Sequence, residues 1–325
     1  MIRTQRCIRQ LRLRRFFSAI LIFLSACSST PLEPAPEALA AFTSELRDMQ
    51  PEDAFASVHQ VRSGYLVWLG AKHSTRSDSF TFSLIEDAYA AIEFDIVIVE
   101  GCPTSWGPTP QRLVEYAEEA AASEEDGFQS GGEIVPTILG ALKQEATIFC
   151  GEPEDADVKL RVTAAGFSDA DILGFYTLRS IPQWIRERRV DDAADLRIDA
   201  LLAEELEKNR SRLALDADVL PSLKDWRVWY SETNAKPLGA DFTTEEAGPL
   251  SDGRFRSNAI GAAISKARAA FLHELVISKL QNGDSVLVVF GASHLMIHQP
   301  ALDVSLGEGC RALTDGRNRR IADCV

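Results

Sequence analysis

Two apolar segments of the chain end in the same motif, Gly-x-x-His, and they constrain the fold more than any other feature. Residues 64–74 read GYLVWLGAKHS, and residues 284–296 read DSVLVVFGASHLM. Each starts with an apolar run typical of a buried strand and ends in a glycine followed three residues later by a histidine. Because more than 200 residues separate the copies, they predict one site assembled from both ends of a folded chain.

The segments between the two motifs alternate between strand-like and helical patterns. The apolar residues of Ser79–Ile92 recur at helical spacing, and this segment lies between the strand-like runs Tyr65–Leu69 and Asp95–Val99. Strand, helix and strand in this order predict a parallel crossover unit. Further predicted elements are a hairpin strand at Ser57–Val61, a strand at Ala146–Cys150, and helices at Pro110–Ala122, Pro136–Lys143, Asp155–Ala164, Asp169–Arg189, Ala193–Leu213, Ser222–Tyr230 and Phe255–Gln281.

This pattern predicts an α/β fold with a mainly parallel or mixed central sheet flanked by helices. The helices at about residues 155–250 form an insertion before the last strand. Pro182 is expected to kink or divide the helix that contains it. We expect one domain over residues 41–325, because no internal linker interrupts the pattern.

The N-terminus predicts export. Residues 1–15 carry six arginines and no acidic residue, and the apolar run Phe16–Leu24 that follows is far shorter than the ~20 residues of a membrane-spanning helix. The run leads into Leu-Ser-Ala-Cys, which resembles a bacterial lipobox with Cys27 as the acylated residue. A plain secretory signal cleaved near Ala26 is the alternative.

These features predict a signal peptide over residues 1–26 and a flexible, Pro- and Ser-rich tether over residues 27–40. The serines after Cys27 resemble those of outer-membrane lipoproteins, and acyl chains such as palmitate would anchor the protein stably. We therefore expect a lipoprotein of the cell envelope, held at the outer membrane and facing the periplasm.

The net charge excludes some partners. Formal net charge is −14, and it becomes −20 once the six arginines of the signal peptide are removed. So acidic a protein is a poor partner for nucleic acid or for an anionic lipid surface. A small molecule or a peptide is the expected substrate.

Four cysteines remain besides Cys7 and Cys27, and they allow three pairings. An oxidising compartment permits disulfides. Cys310 and Cys324 enclose a short polar tail, which a disulfide would hold. Cys102 and Cys150 each follow a strand-like run, so they form a second bond if those strands are neighbours, or else they are free buried thiols.

Four functional side chains come directly after predicted strands, where ligands bind in parallel sheets. They are His73, Glu100, Glu152 and His294, each near a glycine. Two imidazoles and a carboxylate form a ligand set for zinc, manganese, cobalt or iron. The sequence thus predicts a divalent metal ion on His73, Glu100 and His294, with Glu152 as an additional acid or base.

The remaining histidines carry weaker signals. His59 precedes the first strand, and His273 lies within a helix without a second histidine at zincin spacing. His298 would share a face with His294 only in a helix, and Pro300 argues against one. The sequence contains no Gly-x-Ser-x-Gly elbow, Walker loop or Gly-x-Gly-x-x-Gly fingerprint.

Taken together, the two Gly-x-x-His motifs, the Val-Glu-Gly that closes the second strand and a late helical arginine resemble the TraB/GumN/TIKI superfamily. Its wider relatives include erythromycin esterases and the haem-binding lipoprotein ChaN. His73 and His294 match the motif histidines, Glu100 the motif acid and Arg268 the arginine, although Ala269 follows Arg268 where the family has Asn or Asp. The resemblance implies an α/β fold with pseudo-repeated halves and, as in TIKI, metal-dependent proteolysis.

The combined prediction is a lipid-anchored, metal-dependent hydrolase of peptide or ester bonds. Glu100 and Glu152 would take part in the chemistry, and Arg268 would contact the substrate. Two alternatives stay open. One is a non-enzymatic lipoprotein that binds haem or iron, with an exposed Tyr176 or Tyr230 as the haem ligand. The other is an inactive envelope scaffold of the same fold.

Overall fold

A mixed sheet of six strands organises the residues described by the computed structural model, which are 31–186, 188–312 and 320–325. The strands are β1 (Phe55–Val61), β2 (Gly64–Ala71), β3 (Ile96–Pro103), β4 (Thr147–Glu152), β5 (Val286–Gly291) and β6 (Cys310–Ala312). Their spatial order is β4-β3-β5-β2-β1-β6. The first four in this order are parallel neighbours, and β1 pairs antiparallel with β2 and β6. The predicted α/β class is confirmed, but a short strand, β6, follows the strand expected to be last.

Helices cover both faces of this sheet. In the described residues they are α1 (Ser44–Asp48), α2 (Phe80–Ala91), α3 (Gln111–Ala122), α4 (Ile134–Lys143), α5 (Asp155–Ala164), α6 (Asp169–Leu178), α7 (Ser180–Arg186), α8 (Ile198–Arg212), α9 (Leu223–Asn234), α10 (Arg256–Lys279) and α11 (Ala292–Leu306). One face packs against α2, α3 and α4, and the other against α10 and α11. None of these helices is long and apolar enough to cross a membrane.

Alternate residues of the central strands point to opposite faces. Val97 and Val99 pack on the α2–α4 side, whereas Ile98 between them packs on the α10–α11 side. Burial of both faces explains why β3 and β5 are nearly continuous apolar runs. The sequence therefore located these strands correctly.

Helices α5 to α9 form the insertion between β4 and β5, with a hydrophobic core of their own that includes the first half of α10. Trp226 anchors this core by donating from Nε1 to the Gly174 carbonyl, at 3.1 Å. The long helix predicted around Pro182 is divided into α6 and α7, as expected. Proline is tolerated in the first turn of a helix, and Pro182 is the third residue of α7.

His59 lies within β1 and is buried, in agreement with the hairpin strand predicted at Ser57–Val61. Helix α10 continues across Gly261, where a Cβ would lie 2.4 Å from the Phe175 ring. The structure corrects one prediction about a local element. The segment after β5 is a full helix despite Pro300, so His294 and His298 do share one helical face. Packing of α11 residues such as Leu295 and Leu302 against the sheet outweighs the helix-breaking tendency of proline.

Both predicted disulfides are present. Cys102–Cys150 joins the neighbouring strands β3 and β4, with a Cα–Cα distance of 5.1 Å. Cys310–Cys324 closes the C-terminal segment, with a Cα–Cα distance of 5.7 Å. The alternative of free thiols at residues 102 and 150 is thus wrong.

The N-terminal segment contacts the domain from Leu32 onward. The Leu32 amide donates to Gln281 Oε1 at 3.0 Å, and the Ala35 amide donates to His273 Nε2 at 3.1 Å. Within the tether predicted for residues 27–40, residues 32–40 therefore differ from a free linker. The predicted signal peptide and the lipidation site Cys27 lie outside the described residues.

Candidate functional site

The four side chains predicted from the sequence lie along one edge of the sheet, the carboxyl edge, where the parallel strands end. Their order follows the strand order: Glu152 closes β4, Glu100 lies near the end of β3, His294 follows β5, and His73 follows β2. Two positions differ in detail from the prediction. Glu100 is part of β3 rather than beyond it, and His294 occupies the first turn of α11.

The two Gly-x-x-His motifs are spatial neighbours, because β2 and β5 pair in parallel with Ala71 opposite Gly291. A Cβ on Gly291 would lie 3.0 Å from His73 Nε2 and 3.5 Å from Glu100 Oε2. A Cβ on Gly70 would lie 3.1 Å from the Ala292 Cα. Each glycine thus leaves room for the other motif, and Gly291 lets an imidazole and a carboxylate approach the same point of the backbone.

His73 and Glu133 form the open half of the site. The His73 side chain is 69% exposed, and its Nδ1 lies 2.5 Å from Glu133 Oε1. The other carboxylate oxygen, Oε2, accepts the Ser74 amide at 3.3 Å. If Glu133 accepts a hydrogen bond from Nδ1–H, then Nε2 is the unprotonated nitrogen of the neutral His73 ring. Nε2 faces Gly291.

Glu133 was not predicted as a site residue. It is the residue before α4, at the end of the acidic, Gly-rich segment of residues 123–132. In the structure, Gly132 adopts φ +59°, where a Cβ would lie 2.7 Å from the Ser74 carbonyl oxygen. Because the backbone of Gly132 lies this close to Ser74, the next residue, Glu133, contacts His73 just after the end of β2. The Gly-Gly-Glu sequence ahead of an apolar helix was the signal that could have identified it.

Glu100, Glu152, Arg268 and His294 form the more enclosed half of the site, called the buried half below, with side chains between 12% and 27% exposed. Arg268 reaches in from α10 and binds Glu152 with both Nε, at 2.8 Å from Oε2, and a terminal nitrogen. That terminal nitrogen also lies 3.8 Å from Glu100 Oε1, and His294 Nε2 lies 3.5 Å from the same oxygen. The Gly291 amide donates to Glu100 Oε2 at 2.8 Å.

These contacts determine the charge state of the buried half. Burial alone would raise the pKa of Glu100, but His294, Arg268 and the Gly291 amide outweigh it and hold the pKa below its usual range. Burial would likewise lower the pKa of Arg268, and Glu152 and Glu100 raise it instead. Glu100 is therefore an anion and Arg268 a cation. Because Glu152 binds Nε and one terminal nitrogen of Arg268, the substrate contact predicted for Arg268 would use the other terminal nitrogen.

His294, His298 and His273 form a row of imidazole rings behind the site. Its ring centroid lies 6.4 Å from that of His298, which lies 6.2 Å from that of His273. Burial lowers the pKa of His298 to about 3 and that of His273 to about 4. In the described part of the chain, Nδ1 of His294 and Nδ1 of His273 are buried without a hydrogen-bond partner. The sequence predicted none of this row beyond His294.

Two cavities open beside the buried half. One of about 510 Å³ lies between the ends of β3 and β4 and the helical insertion, and Glu152 and Arg268 line it. A smaller one of about 140 Å³ is lined by His294, Ser293 and Arg268. Arg179, at the end of α6, lines both. Arg179 and Arg268 are therefore the residues that the two cavities have in common.

The predicted metal ligands are residue types that bind divalent ions, but the structure does not group them around one point. Among the residues that the structure describes, no group of three or more His, Cys, Asp or Glu side chains is placed to hold a metal ion. His73 is bound to Glu133, whereas Glu100 and His294 form a separate pair. Arg268, 3.8 Å from Glu100, places a positive charge next to the carboxylate that an ion would need.

The two tyrosines considered as haem ligands are both buried, and the Tyr230 hydroxyl donates to Glu246. Neither is the exposed tyrosine expected from the sequence, and the haem alternative stays a prediction.

Comparison with known proteins adds no relative. No family model, no curated protein and no solved structure matches the chain. The resemblance to the TraB/GumN/TIKI superfamily therefore stays a prediction from the motifs.

Proposed function

We propose that the protein is a hydrolase of ester or peptide bonds, held in the cell envelope through Cys27, with its reaction centre at the carboxyl edge of the sheet. The observation that carries the proposal is the placement of His73. Its Nδ1 is held by Glu133, and its Nε2 faces Gly291 beside Glu100. A solvent-exposed imidazole that a carboxylate holds in one orientation is the arrangement that a general base requires.

In this proposal, His73 Nε2 accepts a proton from the attacking water, and the Glu133 carboxylate stabilises the imidazolium that forms. The water oxygen then attacks the carbonyl carbon, and His73 returns the proton to the leaving group. Helix α11 starts at Ala292, directly after Gly291. The positive end of this helix and its first backbone amides favour the negative charge that develops on the carbonyl oxygen. The buried half keeps Glu100 and Arg268 in fixed positions beside the cleft.

The metal-dependent form of the proposal uses His73, Glu100 and His294 as ligands. A divalent ion there would supply a water of lowered pKa. This form requires the three side chains to converge further than they do in the structure, so it makes a distinct experimental prediction.

The test is hydrolysis of a panel of 4-nitrophenyl esters and fluorogenic peptides by the purified protein. Each substrate is assayed after chelation and after addition of Zn²⁺, Mn²⁺, Co²⁺ or Fe²⁺, and bound metal is quantified. Activity that survives chelation supports the imidazole form, whereas activity lost on chelation and restored by an ion supports the metal form. Absence of hydrolysis under every condition contradicts the proposal. Lys72→Ala is the matched control for His73→Ala, because Lys72 is the exposed neighbour in the same loop.

The envelope location has its own test. We expect the wild-type protein to sediment with membranes and to incorporate labelled palmitate. Cys27→Ala is expected to lose the label and to move to the soluble fraction, because the lipid is the predicted anchor. Unchanged membrane association of this variant would contradict the anchoring part of the proposal without affecting the hydrolytic part.

A further inference from the structure

The larger cavity beside the buried half is suited to a small ligand or a peptide end. Its volume of about 510 Å³ lies within the roughly 300–1,000 Å³ of small-molecule sites. Four acidic and four basic side chains contribute to its lining, which is therefore polar and electrically balanced.

Three of the four basic side chains in this cavity already have acidic partners. Arg268 binds Glu152, Arg212 lies 3.1 Å from Asp155, and Lys208 lies 3.3 Å from Glu205. These pairs neutralise one another, so none of these cations offers a full charge to a ligand.

Arg179 is the exception. In the described residues, no carboxylate forms an ion pair with its guanidinium, and its Cζ lies 5.7 Å from the centroid of the Tyr176 ring. Arg212 lies over the same ring, at 4.7 Å. Tyr176 is buried and thus holds two guanidinium groups on one wall of the cavity.

The surroundings of Arg179 favour an anion. The side chain is accessible to solvent yet enclosed by the cavity wall. Burial, Arg268 and Arg212 lower the pKa of Arg179 and outweigh Tyr176 and Glu152, which raise it, so neighbouring positive charges oppose its own. An anion bound to the guanidinium would offset this repulsion, and a planar carboxylate matches the two-pronged geometry of arginine.

We propose that Arg179 is a binding residue for a carboxylate group of the substrate. The assignment of this ligand as a substrate rests on the proposed hydrolase function. Arg179 also lines the smaller cavity that His294 lines, so a molecule held there would lie beside the buried half of the site. A carboxylate is favoured over a phosphate because Glu154 and Asp155 line the same cavity and would repel a dianion more strongly.

The test measures binding directly, without turnover. Ligand-observed NMR titrations of the purified protein use N-acetylglycine, N-acetyl-alanyl-alanine and benzoate, each with its amide as the matched ligand, and inorganic phosphate. We expect at least one acid to bind, with its amide on the order of tenfold to a hundredfold weaker, because the amide loses a charge-assisted hydrogen bond. Arg179→Gln should weaken the acid by a similar factor, and Arg179→Lys by less.

The controls separate this proposal from the hydrolase proposal. Arg227→Gln removes the same charge from the helical insertion outside the cavity, and it should leave the affinity unchanged. His73→Ala should bind the acid as tightly as the wild type even where hydrolysis is lost. Binding of no acid, equal binding of acid and amide, or tighter binding of phosphate than of every acid would each overturn the carboxylate assignment. Because the comparison of acid with amide uses the wild-type protein, it holds even if an Arg179 variant fails to fold.

Discussion

The open and buried halves of the site start from the same motif and end in opposite environments. His73 follows Gly-x-x-His of β2 into an exposed loop, where its side chain is 69% exposed. His294 follows Gly-x-x-His of β5 into the first turn of α11, where its side chain is 12% exposed. Each imidazole contacts one carboxylate, Glu133 or Glu100.

The Gly-x-x-His motif therefore places a histidine at the carboxyl edge of the sheet. Whether a loop or a helix follows the strand determines how exposed that histidine is. A loop leaves His73 accessible to water and substrate, which a proton-transfer group needs. A helix packs His294 against Phe290, 5.3 Å between ring centroids, and against His298. We infer that the open half carries the chemistry and that the buried half sets the shape and charge of the cleft.

The largest expected effect concerns the ion pair of the buried half. Glu152→Gln leaves Arg268 with only Glu100 at 3.8 Å, and breaking such a buried pair costs about 3 kcal/mol of stability. The measurement is urea unfolding of variant and wild type. Asp199→Asn, which removes a carboxylate from the more exposed pair with Arg227, is the control, with an expected cost below about 1 kcal/mol. Equal losses of unfolding free energy in the two variants would contradict the claim that the Glu152–Arg268 pair is the more strongly stabilising one.

The two histidines should differ in stability when each is truncated. His294→Ala removes a packed ring and is expected to cost about 1–3 kcal/mol. His73→Ala removes an exposed ring and should change stability by less than about 0.5 kcal/mol. Both are measured by the same unfolding experiment. A larger loss of stability for His73→Ala than for His294→Ala would contradict the difference in burial between the two histidines.

Within the open half, Glu133 is expected to act only through His73. Glu133→Gln keeps the shape of the side chain but weakens its hold on Nδ1, so we expect activity to fall by about 10- to 100-fold. The measurement is kcat and its pH profile, which a merely structural change would leave unshifted. Glu125→Gln, in the loop that precedes Glu133, is the matched control. An unchanged pH profile in Glu133→Gln would contradict the role of Glu133.

The last prediction concerns the acid sensitivity of the imidazole row behind His294. Because the folded-state pKa of His273 is about 4 against about 6.5 in the unfolded chain, the unfolded state binds more protons between these values. Stability should therefore be complete above pH 6.5 and fall as the pH drops towards 4. Protonation would also place a proton on Nε2, which accepts the Ala35 amide. Glu37 raises the pKa of His273 and so partly offsets the effect of burial. The neighbouring ring is that of His298, 6.2 Å away between centroids.

His273→Gln tests this effect, because glutamine can still accept the Ala35 amide but does not titrate. Urea unfolding at pH 7 and pH 4.5 should show a smaller loss of stability in the variant than in the wild type. Some loss should remain, since His59 and His298 also have lowered pKa values. An identical loss in both proteins would show that His273 is not the titrating group.

The sequence was sufficient for features that depend on local pattern. The apolar runs before Gly70 and Gly291 identified two strands of the sheet and placed both motif histidines at its carboxyl edge, and the structure adds that the two strands are parallel neighbours. For Cys102 and Cys150 the sequence left a disulfide and free thiols open, and the structure shows the disulfide.

Features that depend on contacts across the chain escaped prediction. Glu133 reaches His73 across 60 residues of sequence, through a loop whose composition resembles a mobile one. Helix α11 is maintained by packing against the sheet, which the presence of Pro300 concealed. The failure of His73, Glu100 and His294 to converge depends on side-chain direction, which no spacing encodes. Arg179 was missed because its significance lies in the absence of a carboxylate partner among the described residues.

The central claim is that His73 is the proton-transfer group of a hydrolytic cleft, and its exposure permits a direct test by chemical rescue. The measurement is the rate of ester hydrolysis by His73→Ala with and without added imidazole. We predict a loss of about 10²- to 10⁴-fold, with a substantial part restored as free imidazole occupies the vacated space beside Glu133. Wild-type activity in His73→Ala, or a lost activity that imidazole does not restore at any concentration, would contradict the claim.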